Sequence, residues 1–112
     1  MRTSALYLQD IKIAIEKILR FVEGMRYEDF LQDEKTLDSV VRNFEIIGEA
    51  SKSLPENIRS LAETVPWKKV IRMRNKLIHE YWGVDIEVVW FTIQDDLPAL
   101  KTEVERLFKE IS

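Results

Sequence analysis

The sequence predicts an all-α protein, an up-and-down bundle of about four to five helices. Apolar residues recur at steps of three and four along most of the 112 residues, which is the spacing of one buried helix face. The chain has only three glycines and three prolines, so few positions favour turns. No useful stretch alternates apolar and polar residues as a strand does. These observations together predict helices packed side by side.

The first two long helices are bounded by residues that typically begin and end helices. Thr3 or Ser4 can cap the first helix, and Gly24 is placed to end it. The second helix is expected to begin at Asp33 and to end before Pro55, since proline does not continue a helix. The predicted apolar faces of the two helices are Leu8, Ile11, Ile15, Ile18, Leu19 and Val22, then Leu37, Val40, Val41, Phe44, Ile47, Gly48 and Leu54.

Two shorter segments flank the second helix. The residues from Tyr27 to Leu31 are too few to predict firmly, and one turn of helix there would pack Phe30 under a loop. Pro55 can occupy the first position of a short helix that runs to about Glu63. Both segments are expected to connect the longer helices.

The last part of the chain is predicted to hold two more helical stretches. Pro66 can start a helix that runs from Trp67 to His79 or Tyr81. Asp85 can cap the following segment. The sequence Asp96-Leu97-Pro98 predicts a kink or a restart, because proline is tolerated only in the first turn of a helix. No linker or repeat divides the chain, so residues 1–112 are predicted to form a single domain.

Composition narrows the classes of function. The chain has no cysteine, which excludes disulfides, thiolate metal sites and a thiol nucleophile. With one histidine, the sequence predicts neither a metal site nor a cofactor. It shows no signal-peptide pattern and no apolar run near the length of a membrane span. A soluble, cytoplasmic protein is therefore expected, with no membrane partner.

The helix predicted after Pro66 is strongly basic. It contains no acidic residue up to His79, and its five cations are Lys68, Lys69, Arg72, Arg74 and Lys76. The whole chain has a net charge of −3, so this basic stripe lies on an acidic body. Such a stripe can hold a few nucleic-acid phosphates while the body repels long non-specific tracts. The ordinary alternative is a solvated helix face.

The only histidine, His79, follows Arg74 by five residues. An imidazole can accept and donate a proton near neutral pH, because its unperturbed pKa is about 6.5. A guanidinium binds phosphate through a planar fork of donors. Together the two side chains could cut a phosphodiester without a metal. One histidine cannot be acid and base at the same moment, so a dimer supplies two, or water or another group shares the work.

Helix geometry restricts how these two side chains meet. On an ideal helix Arg74 and His79 lie about 140° apart. Asn75 and His79 share a face, and Asn75 could hold the imidazole in one tautomer. Arg74 must then reach round with its long side chain, or the helix must loosen near His79, or a second copy must complete the site. A two-fold axis that brings both Arg/His sets into one cleft is the favoured arrangement.

These residues also have ordinary structural interpretations. His79 could be a C-terminal dipole partner, and Arg74 could simply pair with an acid. Gly48 interrupts a long helix and is expected to mark a close helix–helix approach. Glu45 or Glu49 could face the basic stripe there, either as a structural ion pair or as a group that tunes His79, and the ion pair is the favoured alternative.

The stretch Arg74-Asn75-Lys76-Leu77-Ile78-His79-Glu80-Tyr81-Trp82 resembles the signature of HEPN domains, specifically the HepT-like branch found in prokaryotic toxin–antitoxin pairs. The resemblance continues to Trp90. It is supported by residues 42–50 (RNFEIIGEA) and by residues 96–100 (DLPAL). It extends over nearly the whole chain.

The resemblance implies a helical homodimer whose Arg/His pairs line a shared cleft and cut RNA without a metal. By position, Arg74 and His79 would be catalytic, Asn75 would support them, and Lys68, Lys69, Arg72 and Lys76 are the candidate RNA-binding residues. It also implies a partner, a minimal nucleotidyltransferase antitoxin that transfers AMP onto a tyrosine, here Tyr81. The alternative is a non-catalytic helical module that docks a nucleotidyltransferase or binds a nucleotide.

Overall fold

The computed structural model describes the backbone of residues 3–79 and 85–112, and the side chains of residues 3–76 and 85–112. Within those ranges every regular element is a helix, so the predicted all-α class is confirmed. The helices are α1 (Ser4–Phe21), α2 (Tyr27–Gln32), α3 (Glu34–Ser53), α4 (Glu56–Arg59), α5 (Trp67–His79), α6 (Ile86–Asp95) and α7 (Leu97–Ile111). Among these described helices, none is long and apolar enough to cross a bilayer.

Side-chain caps fix the starts of three helices, as the sequence predicted. The hydroxyl of Thr3 accepts a hydrogen bond of 3.3 Å from the backbone N–H of Leu6. The Asp33 carboxylate accepts one of 3.0 Å from the N–H of Thr36 at the start of α3. This backbone hydrogen bond lowers the pKa of Asp33. Asp85 caps α6 in the same way, by accepting from two N–H groups of its first turn.

Two helix ends differ from the prediction. α1 ends at Phe21, and Gly24 lies in the following turn with a φ of +76°. α4 ends at Arg59 instead of continuing to about Glu63. The Arg59 carbonyl oxygen accepts a hydrogen bond of 3.0 Å from the indole N–H of Trp67. The same oxygen also accepts from the N–H of Ala62, and the N–H of Leu61 bonds to Ile58, so the chain tightens into three-residue turns after α4.

The restart near the C-terminal end of the chain is confirmed. α6 ends at Asp95, and α7 begins at Leu97 with Pro98 in its first turn. α5 begins directly after Pro66 and is described as far as His79. The alternative end of α5 at Tyr81 lies outside the described residues.

α3 is the central helix of the bundle. It packs against α1 on one side and α5 on the other, and α7 packs on α1 and α6. Most of the predicted apolar faces are buried in this core. The fully buried Phe30 of α2 lies 5.1 Å from the ring of Trp90, between ring centroids, and so joins α2 to α6. The arrangement leaves α5 held mainly by α3, and that contact forms the candidate site.

Candidate active site

α5 crosses α3 at Gly48, which is buried. A Cβ atom added at Gly48 would overlap the Cβ of Arg74 and would lie 2.7 Å from its Cγ. Only a residue without a side chain therefore allows the two helices to approach this closely. The close approach predicted for Gly48 is confirmed, and the group that it accommodates is the stem of Arg74.

The guanidinium of Arg74 is held by two oxygen atoms. Its Nη2 lies 2.8 Å from Oε2 of Glu49, the residue next to Gly48 on α3. Its Nη1 donates a hydrogen bond of 2.8 Å to Oδ1 of Asn75. The Nε atom is buried and has no hydrogen-bond partner within the described part of the chain. The stem is thus sealed under α3, and the Nη groups form the accessible end of a side chain that is 23% exposed.

This geometry shows how far Arg74 reaches round α5. The Cα of Arg74 lies on the face that packs against α3, whereas its guanidinium ends at the side chain of Asn75. Asn75 precedes His79 by one helical turn, so the two positions share a face. The long side chain of Arg74 therefore extends part of the way around α5, toward the helix face on which His79 lies.

The remaining site predictions concern residues at the end of α5. His79 is the last residue of α5 that the structure describes, and its side chain lies outside the described side chains. Tyr81 also lies outside the described residues. The predicted bond between Asn75 and the imidazole stays a prediction, because the partner that the structure gives Asn75 is Arg74.

A cavity of about 460 Å³ opens beside the Arg74 head. Its lining residues come from α1, α3 and α5, and they are Tyr7, Asp10, Arg42, Glu45, Ile46, Glu49, Ala50 and Arg74. Arg42 brings a second cation to this cavity, and its side chain is 71% exposed. Its Nη1 lies 3.5 Å from the carboxylate of Glu45 on the same helix. The cavity thus combines two guanidinium groups with carboxylates that hold them.

Arg42 is a candidate that the analysis of the basic stripe missed, because it lies on another helix. The signal was present in the spacing along α3. Arg42, Glu45 and Glu49 follow one another by three and four residues, which places them on one helix face. Gly48, adjacent to Glu49, indicates that another helix approaches next to that face. Of the two acids considered for the ion pair, Glu49 is the one that binds Arg74.

The predicted basic stripe divides between two faces. Lys68, Arg72 and Lys76 are exposed. Arg72 follows Lys68 by four residues and precedes His79 by seven, so this part of the stripe shares a face with the His79 position. Lys69 is also exposed, but its Nζ lies 3.1 Å from the Asp96 carboxylate, and it borders a different groove. Of the lysines and arginines of the stripe other than Arg74, the candidates for binding phosphate are therefore Lys68, Arg72 and Lys76.

That second groove has about 580 Å³ and lies between α5 and the α6–α7 junction. It is larger than the Arg74 cavity, but its floor is apolar, formed by residues such as Phe44, Ile47 and Leu100. Chemistry on a charged substrate needs convergent polar groups, which the Arg74 cavity offers. Among the described residues, no group of three His, Cys, Asp or Glu side chains could hold a metal ion.

The chain is similar to probable ribonucleases along almost its whole length. A family described as "Ribonuclease HepT-like" matches residues 11–107. A probable ribonuclease HepT from Thermococcus cleftensis is 50% identical over 103 residues, which cover 92% of this chain and 94% of the relative. A putative RNase from Caldanaerobacter subterraneus is 40% identical over 110 residues, 98% of both chains. A putative RNase from Methanocaldococcus jannaschii is 39% identical over 94% of this chain and 87% of the relative. No solved structure matches the chain.

Proposed function

We propose that this chain, which belongs to the HepT-like ribonuclease family, a branch of the HEPN domains, is a metal-independent endoribonuclease. It would be the toxin of a toxin–antitoxin pair, and Arg74 and His79 would cut the RNA. One observation carries the proposal. The Arg74 guanidinium is fixed at the edge of an open cavity, against the residue one turn before His79. A phosphate bound there would lie within reach of an imidazole on the same face of α5.

The proposed reaction uses the RNA's own 2′-hydroxyl. This oxygen attacks the adjacent phosphorus, and the 5′-oxygen of the next nucleotide leaves. His79 moves a proton, a role that typically contributes about 10²–10⁴-fold in rate. Arg74 stabilises the negative charge that develops on the non-bridging oxygens. The products are a 2′,3′-cyclic phosphate, or the 3′-phosphate after hydrolysis, and a 5′-hydroxyl. DNA lacks the attacking hydroxyl and is not cut.

The active form is proposed to be a homodimer. Two copies related by a two-fold axis would place both Arg/His sets in one cleft, which is the arrangement expected from the family. The exposed cations of α5, Lys68, Arg72 and Lys76, would extend that cleft along the RNA backbone. RNA in such a cleft would contact both protomers.

Silencing of the toxin is proposed to occur at Tyr81. A minimal nucleotidyltransferase antitoxin would transfer AMP from ATP onto the tyrosine hydroxyl. The modification adds bulk and a negative phosphate two residues from the catalytic histidine, so it would repel and block the RNA phosphates. The family relationship supports this proposal.

The ion pair between Arg74 and Glu49 favours a second candidate function. An arginine already bound to a carboxylate can be purely structural, and α5 would then be a docking surface for a nucleotidyltransferase or a nucleotide. In that case the cavity would bind without cutting.

Cleavage by matched variants separates the two functions. The protein is purified without its partner and incubated with a defined RNA pool in EDTA, beside Arg74→Ala and His79→Ala. The nuclease predicts cleavage that both substitutions abolish and 5′-hydroxyl products. Equal cleavage by all three proteins would indicate a contaminating nuclease and would favour the docking module. Arg26→Ala is the control, because Arg26 is an exposed arginine of α2's start and lies outside the cavity lining.

A further inference from the structure

We propose that Glu49 is the general base of the reaction and that His79 is the general acid. This inference rests on the proposed ribonuclease function and names the group that accepts the proton, so that this step does not require the second histidine of the dimer. It assigns a catalytic role to a carboxylate on α3, a different helix from the one that carries Arg74 and His79.

The position of Glu49 supports the assignment. Its Oε2 lies 2.8 Å from Nη2 of Arg74, and both side chains line the same cavity. The Glu49 side chain is 59% exposed, so solvent and a substrate can reach it. A phosphate held by the remaining N–H donors of the same guanidinium would therefore lie next to the carboxylate. The 2′-hydroxyl, on the ribose attached to that phosphate, is the nearest proton that Glu49 could take.

The separation between Glu49 and His79 along the axis of α5 fits an in-line displacement. In such a reaction the attacking and leaving oxygens lie on opposite sides of the phosphorus, so acid and base must flank the phosphate. Glu49 lies at the level of Arg74, where it binds the guanidinium. His79 is five residues further, which is about 7.5 Å along a helix. A phosphate bound near Asn75 would lie between the two levels, with the base on one side and the acid on the other.

Charge also favours Glu49 as the base and His79 as the acid. A carboxylate at neutral pH is ionised and can accept a proton but has none to donate. An imidazole can carry the proton that the leaving oxygen needs. When phosphate takes donors of the Arg74 guanidinium, Glu49 loses part of its ion pair and becomes the free acceptor beside the ribose.

The proton balance of the step is complete. The 2′-oxygen forms a bond to phosphorus as its proton passes to the Glu49 carboxylate. The bond between phosphorus and the 5′-oxygen breaks, and that oxygen takes the proton of the His79 imidazolium. Exchange with water then returns Glu49 to the carboxylate and His79 to the imidazolium. No other reactant is required.

Glu45 provides a matched comparison. It is the preceding glutamate on the same face of α3, lines the same cavity and is also bound to an arginine, Arg42. Among the described residues, no ion pair joins it to Arg74, which is bound by Glu49 instead. If Glu49 acts as the base, Glu49→Gln lowers kcat on RNA by about 10²–10⁴-fold, the usual range for this role. Glu45→Gln releases Arg42, so it should change KM and lower kcat far less than Glu49→Gln does.

A substrate with an activated leaving group separates the base from the acid. Uridine 3′-(4-nitrophenyl phosphate) releases 4-nitrophenolate, which leaves without a proton, so cleavage of this ester needs a base but no acid. His79→Ala is expected to recover to within about tenfold of wild type on this ester, whereas Glu49→Gln keeps a loss of at least about 10²-fold. Glu49→Asp, which retains a carboxylate, should keep intermediate activity. Circular dichroism and thermal unfolding check that each variant is folded, and Glu49→Asp serves if the glutamine variant is not.

Each alternative outcome overturns the assignment. Recovery of Glu49→Gln but not of His79→Ala would make His79 the base. A wild-type rate for Glu49→Gln on RNA, with Arg74→Ala and His79→Ala inactive, would leave the ribonuclease standing and remove Glu49 from catalysis. A glutamine variant that raises KM and leaves kcat unchanged would make Glu49 a positioning residue. A wild-type protein that cleaves neither substrate would overturn the ribonuclease itself.

Discussion

The backbone of Gly48 lies directly against the Cβ and Cγ of Arg74. This one contact sets the distance between α3 and α5 and also aims the cation. It buries the Arg74 stem, including Nε, so that the guanidinium emerges where Glu49 and Asn75 can hold it. Packing of the bundle and geometry of the site therefore depend on the same pair of residues.

Gly48→Ala is expected to impair both the packing of the bundle and the geometry of the site. The added methyl group meets side-chain atoms of Arg74 that a helix holds in place, and overpacking of this kind typically costs about 1–3 kcal/mol. The displaced guanidinium should lower RNA cleavage by more than the loss of folded protein explains, since a shift of about 1 Å can cost about 10²-fold in rate. Denaturant unfolding and kcat/KM, measured on the same preparation, test both effects.

Gly24→Ala is the matched control. Gly24 has a φ of +76°, and a Cβ there would meet no atom within 4 Å. The substitution should cost about 1–2 kcal/mol through backbone strain alone and leave cleavage per folded molecule unchanged. Equal losses of specific activity in the two variants would contradict a special role for the contact between Gly48 and Arg74.

Arg42→Ala is expected to weaken RNA binding without stopping the reaction. Arg42 lines the cavity beside Arg74, but its exposed guanidinium contacts only Glu45 among the contacts described, at 3.5 Å. Loss of one phosphate contact to single-stranded RNA should reduce the slope of log K against log salt by about 0.7. We expect KM to rise several-fold and kcat to change little.

Arg26 offers a closely similar arginine away from the cavity. It is 78% exposed and pairs with Asp29 three residues later, just as Arg42 is 71% exposed and pairs with Glu45. Arg26→Ala should leave the salt slope unchanged. If both variants shift the slope equally, Arg42 acts through net charge and not through the cavity.

The sequence was sufficient for the features that depend on local chemistry. The caps at Thr3, Asp33 and Asp85 follow from side chains that bond N–H groups two or three residues later. The close approach at Gly48 follows from the cost of a glycine within a helix. These interactions need no knowledge of the distant chain.

Features that depend on tertiary contacts were missed or left open. After α4 the Arg59 carbonyl oxygen accepts from the nearby N–H of Ala62 and also from the indole N–H of Trp67, a tertiary bond between residues that no periodic pattern relates. The spacing placed both Glu45 and Glu49 on one face, and only the crossing of α5 assigns Arg74 to Glu49. Lys69 belongs to the basic stripe by sequence, but in the structure its ammonium group pairs with the carboxylate of Asp96, where the chain restarts between α6 and α7.

Tyr81→Phe tests the proposed silencing reaction. Incubation of the wild-type protein with ATP and its nucleotidyltransferase partner should add the mass of one or more AMP groups and abolish RNA cleavage. The phenylalanine variant lacks the accepting hydroxyl, so it should gain no mass and should remain active in the same mixture. Tyr27→Phe is the control, because Tyr27 lies on α2 and outside the cavity lining. A mass gain that survives in the Tyr81 variant would place the acceptor elsewhere.

Glu103→Gln is expected to change how the stability of the bundle depends on pH. The Glu103 carboxylate lies 2.7 Å from Nε of Arg106 and accepts a hydrogen bond of 3.1 Å from the hydroxyl of Thr64. Arg106 also donates to the Leu61 carbonyl oxygen, so these contacts tie the chain between α4 and α5 to α7. The hydrogen bond from Arg106, followed by that from Thr64, lowers the pKa of Glu103.

A lowered pKa in the folded state fixes the direction of the effect. The carboxylate stabilises the fold fully above about 4.5, the ordinary value for glutamate, and this contribution is lost as the pH falls through the lower folded value. Glu103→Gln should therefore be less stable than wild type at pH 7, and the difference should shrink as acid is added. Denaturant unfolding at a series of pH values measures this difference in stability.

Glu105→Gln, whose carboxylate lies 3.9 Å from Lys101 on the same helix, is the control. A difference between Glu103→Gln and wild type that stays constant down to strongly acidic pH would show that the amide disturbs packing and that the charge contributes nothing.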